Sequence, residues 1–253
     1  MFRKVLERLS RQKVLKRKLP KRFGSQTIFV SPDSALRFWH KDLEKTDIQL
    51  LKRAEEIVCL ADIVWDIGAN VGLFAFAAAY VAGSEGKVLA IEADTFLVDL
   101  LRKTSSIPHH NRARVEVLPV AISERVGVSY LNIANRGRSA NFLEGTEGST
   151  QTGGVREIQM VGTLTLDLIS TYYPPPNVLK IDVEGAEDKV LQGGKQLIQQ
   201  YKPKILIEVS SENIESVTKF FRVQNYKLFD GDAKPSDRGP LEYAVWNTIA
   251  LPY

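Results

Sequence analysis

The chain has 253 residues, of which 44% are hydrophobic and 25% are charged, with a formal net charge of +4, as in a soluble globular protein. No run of about eighteen apolar residues and no apolar region before a cleavage site appear, so neither a membrane-spanning helix nor a Sec signal is indicated. A cytoplasmic location is therefore expected. The single cysteine, Cys59, excludes an internal disulfide and a CxxC zinc site, and its apolar neighbours in the sequence predict a buried position.

Basic residues are concentrated at the N-terminal end. Residues 1–22 contain ten Lys and Arg against one acid, Glu7, whereas the rest of the chain has 24 basic and 29 acidic residues. This segment is predicted to be either a solvated basic arm or an amphipathic helix that lies on an anionic membrane surface. The apolar face of that helix consists of Phe2, Val5, Leu6 and Leu9. A nucleic-acid partner is not expected, because no basic patch in the body extends the contact.

Two further units follow this segment. Residues 23–62 are predicted to form an N-terminal cap over the carboxyl edge of a sheet, where open α/β folds bind their ligands. Within the cap, the pattern predicts a strand at 27–32 and a helix at 47–61. From 63 to 253, strand patterns alternate with helical patterns, which is typical of a parallel sheet wound by βα units.

The alternating region predicts the following elements in chain order. Strands are expected at 63–68, 87–93, 115–123, 177–185 and 204–210. Helices are expected at 72–82, 95–104, 186–201 and 215–224. Extended segments at 128–134 and 155–167 flank a polar loop, 135–154, and loops of this length are usually functional or disordered. A closing β pair is expected from 226–232 and 243–253.

The stretch VWDIGANVG, Val64–Gly72, joins the first of these strands to an apolar helix. Helix N–H groups at such a corner point toward a ligand, and glycines let that ligand approach the backbone. The stretch lacks the G-x-G-x-x-G of dinucleotide-binding proteins and the Gly-Lys-Ser/Thr of a P-loop. Asp66 instead favours a ligand with cationic amino or sulfonium groups, because a carboxylate repels a pyrophosphate.

A second carboxylate, Glu92, lies at the end of the next predicted strand. There it can accept hydrogen bonds from both hydroxyls of a ribose, each contributing roughly 1.5–3 kcal/mol. Asp66, the glycine corner and Glu92 together predict a site for a nucleoside with a positively charged tail, and S-adenosylmethionine fits that description. An NAD-dependent oxidoreductase is an alternative, which the missing G-x-G-x-x-G disfavours.

Four stretches carry a resemblance to a known family: VWDIGANVGLF, AISERVGVSYL, TLTLD, and LKIDVEGAEDKVLQGG with the following KPKILIEVS. They resemble the FkbM-type family of class I S-adenosylmethionine-dependent methyltransferases over roughly residues 62–230. The resemblance implies a Rossmann-like α/β fold with a seven-stranded, mostly parallel sheet and a C-terminal antiparallel strand. It also implies methyl transfer, usually to a hydroxyl oxygen.

The resemblance also assigns roles to residues of this chain. The family's cofactor-binding residues fall on Asp66, Gly68, Asn70, Gly72 and Glu92, the last as the ribose acid. The segment that lies near the adenine falls on Ala121, Ile122 and Ser123. The fourth-strand motif falls on Lys180, Asp182, Glu184 and Gly185.

Alternation along LKIDVEG places Lys180, Asp182 and Glu184 on one side of a strand. Charges in a central strand are unfavourable unless they are paired or functional, so this cluster predicts either an internal ion pair or catalysis. Since a hydroxyl is a poor nucleophile, a general base is expected there. Asp182 is the first candidate, Glu184 the second, and His40 an outside candidate.

The acceptor is expected to be a hydroxyl on a sugar, a glycolipid or a secondary metabolite, that is, a small molecule or a glycan- or lipid-linked group. Position in the sequence indicates the substrate contacts Trp39, His40, Arg138, Asn141 and Glu208. Asp182, Glu184 and Glu208 also have the oxygen ligands that Mg²⁺ prefers, although a metal is not expected. The alternative to an enzyme is a non-catalytic, membrane-associated module that retains the methyltransferase fold.

Overall fold

The computed structural model describes residues 2–146 and 152–253. The α-helices of this part are α1 (Phe2–Ser10), α2 (Ile48–Ile57), α3 (Leu73–Ala82), α4 (Thr95–Ser105), α5 (Leu166–Ile169), α6 (Glu187–Gly193), α7 (Lys195–Tyr201) and α8 (Ile214–Val223). Short 3₁₀ helices span Lys21–Phe23, Leu36–Trp39, Arg138–Ala140, Ser211–Asn213 and Pro235–Asp237. The strands are β1 (Leu15–Lys18), β2 (Thr27–Val30), β3 (Ile63–Ile67), β4 (Lys87–Ile91), β5 (Arg114–Leu118), β6 (Ala121–Ile122), β7 (Gly127–Ala134), β8 (Phe142–Leu143), β9 (Val155–Leu164), β10 (Val178–Ile181), β11 (Lys204–Glu208), β12 (Tyr226–Asp230) and β13 (Asn247–Pro252).

A seven-stranded sheet in the order β12-β13-β11-β10-β3-β4-β5 forms the centre of the fold. Strand β13 runs antiparallel to both of its neighbours, and the other adjacent strands pair in parallel. The expected Rossmann-like α/β class, with a mostly parallel sheet and a C-terminal antiparallel strand, is confirmed. The polar loop expected at 135–154 lies partly outside the described residues.

Both faces of the sheet are covered by apolar side chains. On one face, α2, α3 and α4 pack with the N-terminal segment, and on the other face α5, α6, α7 and α8 pack against the strands. Helix α3 is apolar on all sides, LFAFAAAYVA, because it lies between the sheet and the N-terminal segment, where nearly all of its side chains are buried.

The N-terminal segment folds onto the domain as a hairpin. Strands β1 and β2 pair antiparallel, and the backbone N–H of Phe29 in β2 donates to Thr104 Oγ1 of α4 at 2.9 Å. Phe23, between the two strands, is fully buried in the same core as α3. The hairpin therefore crosses the boundary that was expected between the basic segment, 1–22, and the cap, 23–62. Within the basic segment, α1 is an α-helix and β1 belongs to the hairpin.

A second, four-stranded sheet in the order β6-β9-β7-β8 lies beside the central sheet. The single strand predicted at 115–123 is wrong here: it divides at Pro119 into β5 of the central sheet and β6 of the small one. Proline has no N–H to continue the pairing. The helix predicted at 186–201 divides likewise, into α6 and α7 around Gly193 and Gly194.

Cys59 is exposed, so the expected buried position is wrong. The reason is local, because α2 ends at Ile57 and the cysteine follows it in a surface turn. Among the described residues, no helix has the length and hydropathy needed to cross a bilayer.

Candidate functional site

A cavity of about 570 Å³ opens at the carboxyl ends of β3, β4, β10 and β11. Strands β3 and β10 are neighbours from which the chain proceeds in opposite directions across the sheet, and such switch points are where open α/β folds bind ligands. The small sheet and the 3₁₀ helix Leu36–Trp39 also contribute lining residues. The volume is in the range of small-molecule sites.

Eleven of the seventeen site residues predicted from the sequence line this cavity: Gly68, Asn70, Glu92, Ala121, Ile122, Arg138, Asn141, Lys180, Asp182, Glu184 and Glu208. The other six are not in the lining: Trp39, His40, Asp66, Gly72, Ser123 and Gly185.

The turn after β3 requires glycine at position 68. Gly68 has φ +73°, which side chains rarely adopt, and a Cβ there would lie 1.9 Å from the backbone oxygen of Asp182. The turn thus packs directly against the end of β10. Gly72, with φ +84°, faces the helices and not the cavity, since a Cβ there would lie 2.6 Å from Phe76 of α3 and 2.7 Å from Leu101 of α4.

Glu92 joins two loops at the cavity. Its Oε2 accepts from the backbone N–H of Asn70 at 2.8 Å, and its Oε1 accepts from the backbone N–H of Asp94 at 2.9 Å. Burial raises the pKa of the Glu92 carboxyl to about 7, although these N–H donors favour its ionised form. Ser34 of the N-terminal cap donates to Asn70 Oδ1 at 2.5 Å, which adds the cap to the same corner.

Lys180 is held by two carboxylates. Its Nζ lies 3.1 Å from Asp66 Oδ1 and 3.1 Å from Asp182 Oδ2. Lys180 and Asp66 are register partners on β10 and β3, so their side chains point to the same face of the sheet. Burial acts to lower the pKa of Lys180, but Asp182, Asp66 and Glu208 outweigh it and raise this pKa.

Asp66 does not face the ligand space that the sequence suggested. Its side chain is fully buried and it pairs with Lys180, which itself lines the cavity. The carboxylate therefore acts on the cavity through Lys180, not by direct exposure. Of the ion pairs expected within LKIDVEG, Lys180 forms the one with Asp182.

Three carboxyl groups gather at the end of the cavity formed by β10 and β11. Burial, with a smaller contribution from Asp182 and Glu208, raises the pKa of Glu184 to about 8. Burial and Asp182 also raise the pKa of Glu208 to about 7. Strand β10 ends at Ile181, earlier than predicted, so Asp182 and Glu184 lie on the loop that follows it.

Arg138 and Asn141 line the cavity from the loop between β7 and β8, but Arg138 is buried in ion pairs. Its guanidinium lies 2.9 Å from Asp33 Oδ2 and 2.6 Å from Asp94 Oδ2, and Asn141 Nδ2 donates to the same oxygen of Asp94 at 2.8 Å. Arg156 also contacts Asp33, at 2.7 Å. Arg138 is therefore paired with Asp33 and Asp94, and the substrate contact expected of it stays a prediction.

The remaining predicted residues lie away from the cavity lining. Trp39 donates from Nε1 to Ser10 Oγ at 2.9 Å, and His40 is exposed. The N–H of Ser123 donates to the carbonyl of Leu164 at 2.9 Å, which ties β6 to the end of β9. None of the three is in the cavity lining.

Sequence reasoning missed Trp246 and Asp47, which both line the cavity. Trp246 is 54% exposed in the turn before β13, and Asp47 caps α2 while its Oδ2 lies 2.9 Å from Arg37 Nη1. No motif marks these positions. Among the described residues, no group of three or more His, Cys, Asp and Glu side chains has an arrangement that could hold a metal ion.

The chain matches the family model of the methyltransferase FkbM domain over residues 66–228, which is more than half of its length. The chain belongs to this family. The resemblance seen in VWDIGANVGLF and LKIDVEGAEDKVLQGG is thereby confirmed.

A curated relative is the hexuronic acid methyltransferase AglP of Haloferax volcanii, 29% identical over 157 residues, which are 59% of this chain and 55% of the relative. The chain thus spans about half the length of that relative. Among solved structures, the methyltransferase FkbM of Methylobacillus flagellatus is 16% identical with a TM-score of 0.49, over 80% of this chain and 50% of that one. Fibrillarin of Aeropyrum pernix, solved with natively bound S-adenosyl-L-methionine, is 10% identical with a TM-score of 0.39, over 76% and 67%.

Proposed function

We propose that this protein transfers the methyl group of S-adenosylmethionine to a hydroxyl oxygen of a sugar. The observation that carries the proposal is the division of one cavity into two ends. Glu92, fixed between two loops, faces one end, and the carboxyl groups of Asp182, Glu184 and Glu208 face the other. Family membership supports the reaction class.

The residues at the Glu92 end fit the cofactor. The Glu92 carboxylate interacts with the backbone N–H groups of Asn70, Asp94 and Ala93. Since a carboxylate has about four acceptor sites, it retains capacity for a ribose hydroxyl. Ala121, Ile122 and Leu143 provide apolar lining for a purine ring. The acidic end suits a cationic tail. When bound, S-adenosylmethionine supplies an electrophilic methyl group on its sulfonium.

Glu184 is the proposed general base. Asp182 came first from sequence alone, but its carboxylate is paired with the Lys180 ammonium, which weakens it as a base. Within the described residues, Glu184 has no hydrogen-bond partner, and its pKa of about 8 makes it a stronger base once ionised. Lys180 is the proposed positioning residue, because its ion pair with Asp182 holds that carboxylate in place.

A sugar is the proposed acceptor class. The relative from Haloferax volcanii is a hexuronic acid methyltransferase by name, which supports this class. At the rim, Trp246 presents an exposed aromatic face on which the apolar side of a sugar ring can pack. Arg37, also in the lining and 50% exposed, is available to an anionic group at the rim even while it contacts Asp47.

Two measurements test the proposed function. Isothermal titration with S-adenosylhomocysteine should show binding, and its absence in the intact protein would exclude the cofactor site. Mass spectrometry after incubation with S-adenosylmethionine and hexuronic acid glycosides should show a gain of one CH₂. Methylation of a hydroxyl gives a methyl ether, which is stable to alkali, whereas methylation of the carboxyl group gives an alkali-labile methyl ester. An alkali-labile product would therefore overturn methyl transfer to a hydroxyl.

A further inference from the structure

Helix α1 leaves part of its apolar surface uncovered. Val5 and Leu9 are one turn apart on the same side of the helix and are 52% and 64% exposed. Ser10 is buried and Leu6, one turn before it, is half-buried, so that side faces the body of the protein. The exposed apolar side is therefore available to a partner.

The charge around this helix matches an anionic partner. Arg8 and Arg11 are exposed, and the next residues of the segment add exposed Lys13, Lys16 and Lys18. Residues 1–22 carry ten basic residues against one acid. Apolar side chains flanked by basic ones are the pattern that binds the interface of an anionic bilayer, whereas a nucleic acid requires only the charge.

The helix lies next to the cavity rim. Trp39, 39% exposed, donates from Nε1 to Ser10 Oγ at the end of α1. The two residues before it in the same 3₁₀ helix, Arg37 and Phe38, line the cavity. Arg17 of β1 donates to the carbonyls of Trp39 and His40 at 3.1 and 2.9 Å, which fixes this 3₁₀ helix to the hairpin.

We propose that α1 and Trp39 dock this protein on an anionic lipid surface, so that the cavity takes a lipid-anchored acceptor. Val5 and Leu9 enter the interface, the basic residues contact lipid headgroups, and Trp39 lies at headgroup depth, as interfacial tryptophans do. The docking surface stands on the exposure and charge of α1. The lipid-anchored acceptor rests on the proposed function.

Vesicle flotation of the full chain tests the docking surface. Wild type should float with vesicles of phosphatidylcholine and phosphatidylserine and not with phosphatidylcholine alone. The double variant Val5→Asp, Leu9→Asp should lose at least about tenfold in partitioning, because two apolar side chains leave the interface. The matched control is Leu60→Asp, Val223→Asp, which changes residues that are 77% and 68% exposed elsewhere on the surface.

Charge is tested separately. Arg8→Gln, Arg11→Gln should weaken flotation about fivefold for each residue removed. The control pair Lys195→Gln, Lys219→Gln, exposed on α7 and α8, should have little effect. Equal flotation of wild type and the Val5, Leu9 variant would overturn the proposal and leave a basic segment that binds by charge alone.

Cofactor binding separates this inference from the proposed function. Titration with S-adenosylhomocysteine should give the same affinity in wild type and in the Val5→Asp, Leu9→Asp variant, which also shows that the variant folds. If the cofactor binds and the vesicles do not, only the docking proposal fails. If the vesicles bind and the cofactor does not, the methyltransferase proposal fails and the docking surface stands.

Discussion

The backbone N–H of Asn70 donates to Glu92 Oε2 at 2.8 Å, so the turns after β3 and β4 form one unit. Asp94 completes it by donating its own N–H to Glu92 Oε1. Asp94 in turn holds Arg138 from the small sheet, which contacts Asp33 of the N-terminal cap. A single carboxylate at the cavity is thereby connected to three separate segments of the chain.

Glu92→Gln should weaken S-adenosylhomocysteine binding by a factor of ten or more, because an amide replaces a charged acceptor of the ribose hydroxyls. In the wild type, binding favours ionised Glu92, whose pKa is about 7 in the folded chain. Affinity should therefore rise as pH increases through about 7, and the variant should lack this rise. Titration calorimetry across this pH range measures both effects. Glu116→Gln, a partly exposed acid on β5, is the control.

The raised pKa of Glu92 also affects stability: cofactor affinity should rise with pH, whereas the free energy of unfolding should fall. Burial raises the pKa of Glu92 from 4.5 to about 7, so the folded state binds this proton more tightly than the unfolded state. Its contribution is fully present below the unfolded pKa and is lost as pH rises through about 7. The free energies of urea unfolding of wild type and Glu92→Gln should diverge between pH 4.5 and about 7, and parallel curves would contradict the raised pKa of Glu92.

Glu184→Gln should lower kcat by roughly 10²–10⁴-fold with the affinity for S-adenosylhomocysteine unchanged, because it removes the proton acceptor and little else. With an ionised base required and a pKa of about 8, wild-type kcat should rise through that pH. Asp182→Asn should reduce kcat less. A larger loss in Asp182→Asn, with the pH rise retained in Glu184→Gln, would assign the base to Asp182 instead.

Lys180→Met should lower the free energy of unfolding by about 3–5 kcal/mol, because it leaves the fully buried Asp66 without a counter-ion. The double variant Lys180→Met, Asp66→Leu should recover most of that loss, since both charges are removed. Urea denaturation measures the difference, with exposed Lys195→Met as the control. A double variant as unstable as the single one would show that the pairing does not determine the loss.

Gly68→Ala should abolish cofactor binding and destabilise the fold, because the new Cβ would lie 1.9 Å from the backbone oxygen of Asp182 at φ +73°. The end of β10 must shift to accommodate it. Gly162→Ala is the matched control, since a Cβ there meets no atom within 4 Å. Thermal unfolding and titration calorimetry compare the two, and similar behaviour of both variants would mean that the turn after β3 is adaptable.

Local pattern was sufficient for part of this structure. The alternation of apolar strands and helices predicted the central sheet, and apolar residues on every side of α3 predicted its burial. Glu92 could be placed beside the glycine corner because parallel strands end at one edge of the sheet. Asn70 and Glu92 do meet there, as their positions at the ends of adjacent strands suggested.

Other features depended on pairings between distant residues. Asp66 was expected to face the ligand, but the register of β3 with β10 places Lys180 opposite it, and the two side chains form an ion pair. Arg138 was expected to contact the substrate, and only the folded chain brings Asp33 and Asp94 to it. Trp246 precedes β13 and reaches the cavity because β13 inserts between β11 and β12. No local motif indicates this position for Trp246.

Strand β13 separates β11 from β12 and pairs with both. These two strands become part of one sheet only when residues 247–252, which are synthesised after both of them, insert between them. Until then the edge of β11 is unpaired and open to another strand. A recombinant fragment limited to residues 66–228 would keep that open edge permanently, and it should aggregate.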